Sequence, residues 1–175
     1  SASFGKSIFS EYSSEASASI KPINSEVSTI NVLSDNALIQ QAISFADHTD
    51  GALITVAAGT YNEAVEVNKS NLTLEGANAG LAGDDAGRGA ESTIVPNSPG
   101  ILVTGDNVTV DGFEIDGGTV GVHVDGAKNA TVTNNYIHGQ RHPYATGTQK
   151  GFLGSGDGVL ITASNGVEVS NNFIE

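Results

Sequence analysis

A gapless repeat limits what this chain can fold into more than any single residue does. It reads Asn71-Leu-Thr-Leu-Glu-Gly76, Asn107-Val-Thr-Val-Asp-Gly-Phe-Glu-Ile-Asp116, Asn129-Ala-Thr-Val-Thr-Asn-Asn-Tyr-Ile-His138 and Gly166-Val-Glu-Val-Ser-Asn-Asn-Phe-Ile-Glu175. A second series runs just ahead of it as Ala64-Val-Glu-Val67, Gly100-Ile-Leu-Val-Thr104, Gly121-Val-His-Val-Asp125 and Gly158-Val-Leu-Ile-Thr162. Val110 and Val132 lie 22 residues apart and Val103 and Val124 lie 21 apart, while the neighbouring intervals of 36 and 37 equal one such coil plus an insertion. Periods of this size belong to solenoids.

Within each segment apolar and polar residues alternate, the signature of a strand with one buried face. A coil of roughly two dozen residues cannot bury that face alone, so coils must stack into a continuous core. Stacking predicts inward columns Val67, Val103, Val124, Ile161; Val108, Ala130, Val167; Leu74, Val110, Val132, Val169; and Ile115, Ile137, Ile174. Asn135 and Asn172 recur at one turn, where stacked amides can bond along the solenoid axis. The Asn-x-Thr triplets beginning at Asn71, Asn107 and Asn129 share one repeat position, which the coil explains better than glycosylation does.

Residues 34 to 48 predict a helix, with Ser34 or Asp35 as N-cap and Leu38, Ala42, Phe45 and Ala46 on one face. Placed before Leu53-Ile-Thr-Val56, it would cover the end of the stack as a capping element. The Ser- and Ala-rich residues 1 to 33 form a lead or extra capping segment, and residues 34 to 175 the solenoid. Because the sequence stops at Phe173-Ile-Glu175 within a coil, the expectation is either an incomplete solenoid or end-to-end self-association of two copies.

Ile39-Gln-Gln-Ala-Ile43, Ile54-Thr-Val-Ala-Ala-Gly-Thr-Tyr-Asn-Glu63, Val65-Glu-Val67 and Leu72-Thr-Leu-Glu-Gly76 together resemble the opening of right-handed parallel β-helix proteins of the pectate lyase and pectin esterase superfamily. The resemblance spans about residues 36 to 175. It implies an all-β, right-handed parallel β-helix with an N-terminal α-helical cap. Function must be argued from a site, because the same fold serves lyases, esterases, hydrolases, epimerases and noncatalytic surface proteins. The enzymes carry their catalytic aspartates and arginines on later coils, so none transfers here by position.

A formal net charge of −13 with seven Lys and Arg disfavours nucleic acid and anionic membranes as partners. The absence of Cys excludes disulfides and thiol chemistry. No apolar run reaches membrane-span length, and no signal peptide is visible. Together with the resemblance, this composition suits a bacterial secreted or cell-surface protein.

By analogy with the superfamily, the outer face of the series from 64 to 162 would meet sugars. Alternation puts Glu66, Leu102, His123 and Leu160 in one outward column and Asn68, Thr104, Asp125 and Thr162 in the next. His123 and Asp125 thus form a candidate acid/base or metal-ligating pair, against the plainer reading of a solvated polar pair. Two insertions, residues 77 to 99 and 139 to 157, are expected to enter this sheet. The second holds Arg141, His142, Tyr144, Lys150 and Asp157, with His138 just before it. Local positive charge and an aromatic ring suit an acidic polysaccharide, with His142 joining the catalytic candidates and His138, Arg141, Tyr144, Lys150 and Asp157 binding substrate. Lyase or epimerase chemistry would need such neutralisation beside the abstracted proton. Asp84 and Asp85 in the first insertion are candidate calcium ligands. The competing expectation is a noncatalytic structural segment of a surface protein or adhesin.

Overall fold

The computed structural model describes residues 29–33, 38–46, 51–141 and 156–175. Its strands are β1 (Thr29–Val32), β2 (Ala52–Val56), β3 (Gly59–Tyr61), β4 (Val65–Val67), β5 (Leu72–Glu75), β6 (Ser92–Ile94), β7 (Ile101–Val103) and β8 (Thr109–Asp111). They continue with β9 (Glu114–Asp116), β10 (Val120–Asp125), β11 (Thr131–Thr133), β12 (Tyr136–His138), β13 (Asp157–Thr162), β14 (Glu168–Ser170) and β15 (Phe173–Ile174). The single described helix, α1, is Ile39–Phe45. The strands form three sheets: β1-β2-β5-β8-β11-β14 (sheet 1), β4-β7-β10-β13 (sheet 2) and β3-β6-β9-β12-β15 (sheet 3). Every strand pair in them is parallel. The chain therefore climbs through the three sheets once per coil, as an all-β parallel β-helix.

The inward columns follow the register. Val67, Val103, Val124 and Ile161 are paired in sequence across sheet 2. Leu74, Val110, Val132 and Val169 do the same in sheet 1. Ile115, Ile137 and Ile174 line sheet 3, where Ile94 joins the column from the far side of the first insertion. These side chains are fully buried until the rung made by β13, β14 and β15. No described rung stacks on that one, and Ile161, Val169 and Ile174 are 45%, 42% and 48% exposed. Each buried aliphatic contributes about 1.5–3 kcal/mol, so stability is spread along the ladders.

Glycine opens the sheet 2 strands for a steric reason. A Cβ on Gly121 would lie 2.3 Å from Cγ2 of Ile137 and 2.5 Å from the carbonyl oxygen of Gly158. Gly100 and Gly158 face Ile115 and Ile174 in the same way. Ile115, Ile137 and Ile174 of sheet 3 thus each have a glycine packed against them.

The short turn between sheets 1 and 3 carries the expected asparagine ladder. Asn135 Nδ2 donates to Asn172 Oδ1 at 3.0 Å and to the Val110 carbonyl at 3.2 Å, and Asn135 Oδ1 accepts from the Phe113 amide at 3.0 Å. Asn134 and Asn171 precede it with φ of 57° and 53°, the left-handed region that Asn tolerates better than most residues.

α1 differs from the sequence expectation in phase. Its buried face is Ile39, Ala42 and Ile43, followed by Ala46, whereas Leu38 and Phe45 are 53% and 76% exposed. No side chain of its own caps it. Glu63 does so from beside β4, its carboxylate accepting the amides of Ile39 at 2.8 Å and Gln40 at 3.1 Å. At the other end Lys69 Nζ donates to the carbonyls of Ser44 and Ala46. Between them the Gln40 amide imitates a strand, accepting from Glu66 N–H at 2.6 Å and donating to Glu66 C=O at 3.1 Å. These three contacts fix where the helix starts and how it is rotated, and β4 is covered at its outer edge. Thr29–Val32, within the stretch expected to be a lead or extra capping segment, is a strand in register with β2.

The first insertion also departs from expectation. It leaves the chain between β5 and β6, hence between sheets 1 and 3, and does not enter sheet 2. Arg88, its side chain 7% exposed, holds it down. The guanidinium makes a two-pronged contact with Glu91 at 2.8 and 2.9 Å and donates to the carbonyls of Asn134 at 2.7 Å, Leu81 at 3.0 Å and Phe113 at 3.3 Å. The buried Asn78 closes the loop by accepting from the Gly89 amide and donating to the Ala90 carbonyl.

Candidate functional site

On the outer face of sheet 2, Glu66, Leu102, His123 and Leu160 stand in one register column. His123 and Asp125 point outward together but meet through the next coil. Thr162 Oγ1 donates to Asp125 Oδ1 at 2.6 Å and lies 2.8 Å from His123 Nε2. With the hydroxyl proton given to the carboxylate, the Thr162 oxygen is left to accept from His123 Nε2. The triplet is a fixed, part-exposed relay. Leu102 and Leu160 flank it, and a shallow groove lined by Gln40, Glu66, Ser98, Pro99 and Leu102 lies on the same sheet towards α1.

The second insertion leaves from sheet 3 and returns to sheet 2. Its base is closed by the Gly156 amide donating to the Gln140 carbonyl at 3.0 Å, and the buried Gln140 side chain donates to the carbonyls of Ile115, Gly117 and His138. Arg141 and Asp157 sit at this base with exposed side chains. His142, Tyr144 and Lys150 lie outside the described residues.

His138 belongs to sheet 3, a different face from His123. Its Nε2 lies 3.0 Å from Glu114 Oε1 and its Nδ1 lies 3.6 Å from Asp116 Oδ1. The ring stacks on Tyr136 at 4.3 Å, and Tyr136 stacks on Phe173 at 5.5 Å. Thr93 donates to the other Glu114 oxygen at 2.5 Å, and Tyr136 donates to Glu175 at 2.5 Å. That last bond, with smaller contributions from desolvation and from the charges of Glu175, Glu114 and Asp116, pushes the Tyr136 phenol up to about 12. Alternation along the strands puts Glu114, Tyr136 and Phe173 in one outward column of sheet 3 but does not give their contacts with Asp116, His138 and Glu175. The signal was present in the aligned triplets Glu-Ile-Asp, Tyr-Ile-His and Phe-Ile-Glu, each alternating about an inward isoleucine.

Asp84 and Asp85 are both exposed in the first insertion. Asp85 Oδ1 accepts the Gly87 amide at 2.6 Å, a turn contact. Among the described residues no group of three or more His, Asp or Glu side chains is placed to hold a metal ion.

Residues 60–175 match the family model described as right handed beta helix region. The chain belongs to this β-helix family. A relative, named cell surface glycoprotein, from Methanothermus fervidus (strain ATCC 43054 / DSM 2088 / JCM 10308 / V24 S), is 37% identical over 112 residues. The aligned stretch covers 64% of this chain but 17% of that protein's length. Among the described residues no helix is long and apolar enough to cross a membrane.

Proposed function

We propose that this chain is a structural β-helix segment of a cell-surface protein. The observation that carries the reading is the way outward polar groups are spent on one another between coils. His123 and Asp125 are joined through Thr162, Glu114 bonds both Thr93 and His138, Tyr136 bonds Glu175, and Thr133 meets Ser170 at 3.1 Å. Interlocked rows of this kind stiffen a solenoid whose coils contact only their neighbours. The printed name of the Methanothermus fervidus relative supports a surface location. The test is labelling of intact source cells with an antibody raised against the folded chain. Signal on unpermeabilised cells is expected; signal that needs permeabilisation would overturn the reading.

A second reading, polysaccharide binding, is favoured by the stacked row of Phe173, Tyr136 and His138 on sheet 3. Aromatic faces suit sugar rings. With Glu114, Asp116 and Glu175 beside it, this face suits neutral better than acidic saccharides, whereas the exposed Arg141 at the second insertion suits an acidic one. Titrating a panel of neutral and acidic polysaccharides, with and without calcium, against Tyr136→Ala and Arg141→Ala/His142→Ala variants separates the two faces. No binding to any of them would eliminate this second reading, and catalysis on such a polymer with it.

A further inference from the structure

We propose that Asn71, Asn107 and Asn129 are acceptors for N-linked saccharides, arranged as one row along the solenoid. The inference rests on the surface location proposed above. The three residues stand at equivalent positions just before β5, β8 and β11, and all three are exposed. Their φ angles are 58°, 55° and 55°, so the turn demands a residue that accepts the left-handed region.

That demand explains Asn but leaves Thr unexplained. In the rungs on either side glycine meets the same requirement: Gly51 before β2 has φ 91° and Gly166 before β14 has φ 68°. Two residues beyond those glycines stand Leu53 and Glu168, on the same outward column that carries Thr73, Thr109 and Thr131. The column therefore accepts an apolar, a charged or a hydroxylated side chain. Threonine occurs on it in each rung that has Asn at the turn and in neither rung that has Gly. The pairing of the two residues completes Asn-x-Thr, with x being Leu72, Val108 or Ala130, the acceptor signal for N-glycosylation.

The folded row also tolerates the modification. Asn107 Nδ2 donates to Asn71 Oδ1 at 2.9 Å and Asn129 Nδ2 donates to Asn107 Oδ1 at 3.1 Å. Each of these bonds uses one of the two amide hydrogens. In transfer, Nδ2 attacks the anomeric carbon of a saccharide carried as an anomeric phosphate ester. The bond from that carbon to the phosphate oxygen breaks with its electron pair leaving on the phosphate, and the amide nitrogen gives up one proton to the transferase base. One N–H remains on each asparagine, enough to keep the ladder bond. Neighbouring rungs are about 4.8 Å apart, so saccharides on successive rungs would be in contact and full occupancy of all three is disfavoured.

The experiment expresses the full chain with an export signal in a host that performs N-linked glycosylation, beside a control protein of known acceptor sites. Intact-mass measurement and glycopeptide mapping are made on the wild type and on a Thr73→Val/Thr109→Val/Thr131→Val variant, which removes the acceptor signal and keeps every asparagine. The expected result is one or two saccharides per chain at these asparagines, all lost in the variant, with the unfolding midpoint of the unglycosylated protein little changed. An unmodified wild type beside a modified control would overturn the proposal, as would modification that persists in the variant. Because export is imposed here, failure of this test leaves the surface location to be judged by the antibody labelling alone.

Discussion

Replacing Arg88 by Ala should loosen the first insertion and destabilise the two coils beneath it. The Arg88 side chain is 7% exposed, and its guanidinium has Glu91 as a two-pronged partner and donates to carbonyls of Leu81, Phe113 and Asn134, which belong to the insertion itself and to two successive coils. Removing one member of a buried ion pair costs about 3–5 kcal/mol, because the remaining charge is left without compensation. Glu91 is 19% exposed and can recover some hydration, so the lower half of that range, about 3–4 kcal/mol, is expected. For a chain of this size that is a fall in Tm of roughly 6–16 °C. Arg88→Lys should recover less than half, since an ammonium cannot form the two-pronged contact. Adding Glu91→Ala to Arg88→Ala should recover part of the loss by removing the orphaned carboxylate. Chemical denaturation gives the free energies, and hydrogen exchange at Gly83, whose amide donates to the Asn171 carbonyl at 2.8 Å, reports on the insertion itself. A loss below about 1 kcal/mol for Arg88→Ala, with Gly83 still protected, would refute the claim that this side chain fastens the loop.

Gly121→Ala should cost about 1–3 kcal/mol or more from the Ile137 and Gly158 clashes, as measured by urea denaturation. Gly126→Ala, where φ is 70° and nothing lies within 4 Å, should cost only the left-handed penalty of about 1–2 kcal/mol. Gln40→Leu removes the amide pair that covers Glu66, so a loss of about 1 kcal/mol is expected together with concentration-dependent light scattering from the bared strand edge. The Tyr136 phenol is raised from 10.0 to about 12 in the folded chain, chiefly by its bond to Glu175. Its contribution is therefore full below the unfolded value and lost as pH rises through the folded one, so the wild type should lose stability between pH 10.0 and about 12 by more than Tyr136→Phe does, as read from unfolding midpoints across that range.

Much of this fold can be read from the chain because a solenoid turns sequence period directly into spatial stacking. The inward columns, the Asn135 and Asn172 ladder and the outward placement of His123 and Asp125 all follow from aligning repeats, and each agrees with the register of the strands. Alternation assigns a side chain to a face but is silent on its partner. That Thr162 bridges His123 and Asp125 depends on a side chain 37 and 39 residues further along, delivered by the next coil.

The helix and the first insertion show where local pattern stops being sufficient. An amphipathic stripe from Leu38 to Ala46 can be drawn in two phases, and the choice fell to Glu63, Gln40 and Lys69, contacts spanning more than twenty residues. The extra length of the first insertion is visible in the repeat interval, but its exit between sheets 1 and 3 is decided by Arg88 reaching carbonyls of later coils. The chain alone determined the architecture, since a period near two dozen residues with alternating apolar positions has few ways to bury its surface. Only the tertiary structure decided which polar groups face each other, because those distances are set by the rise from coil to coil and not by separation along the chain.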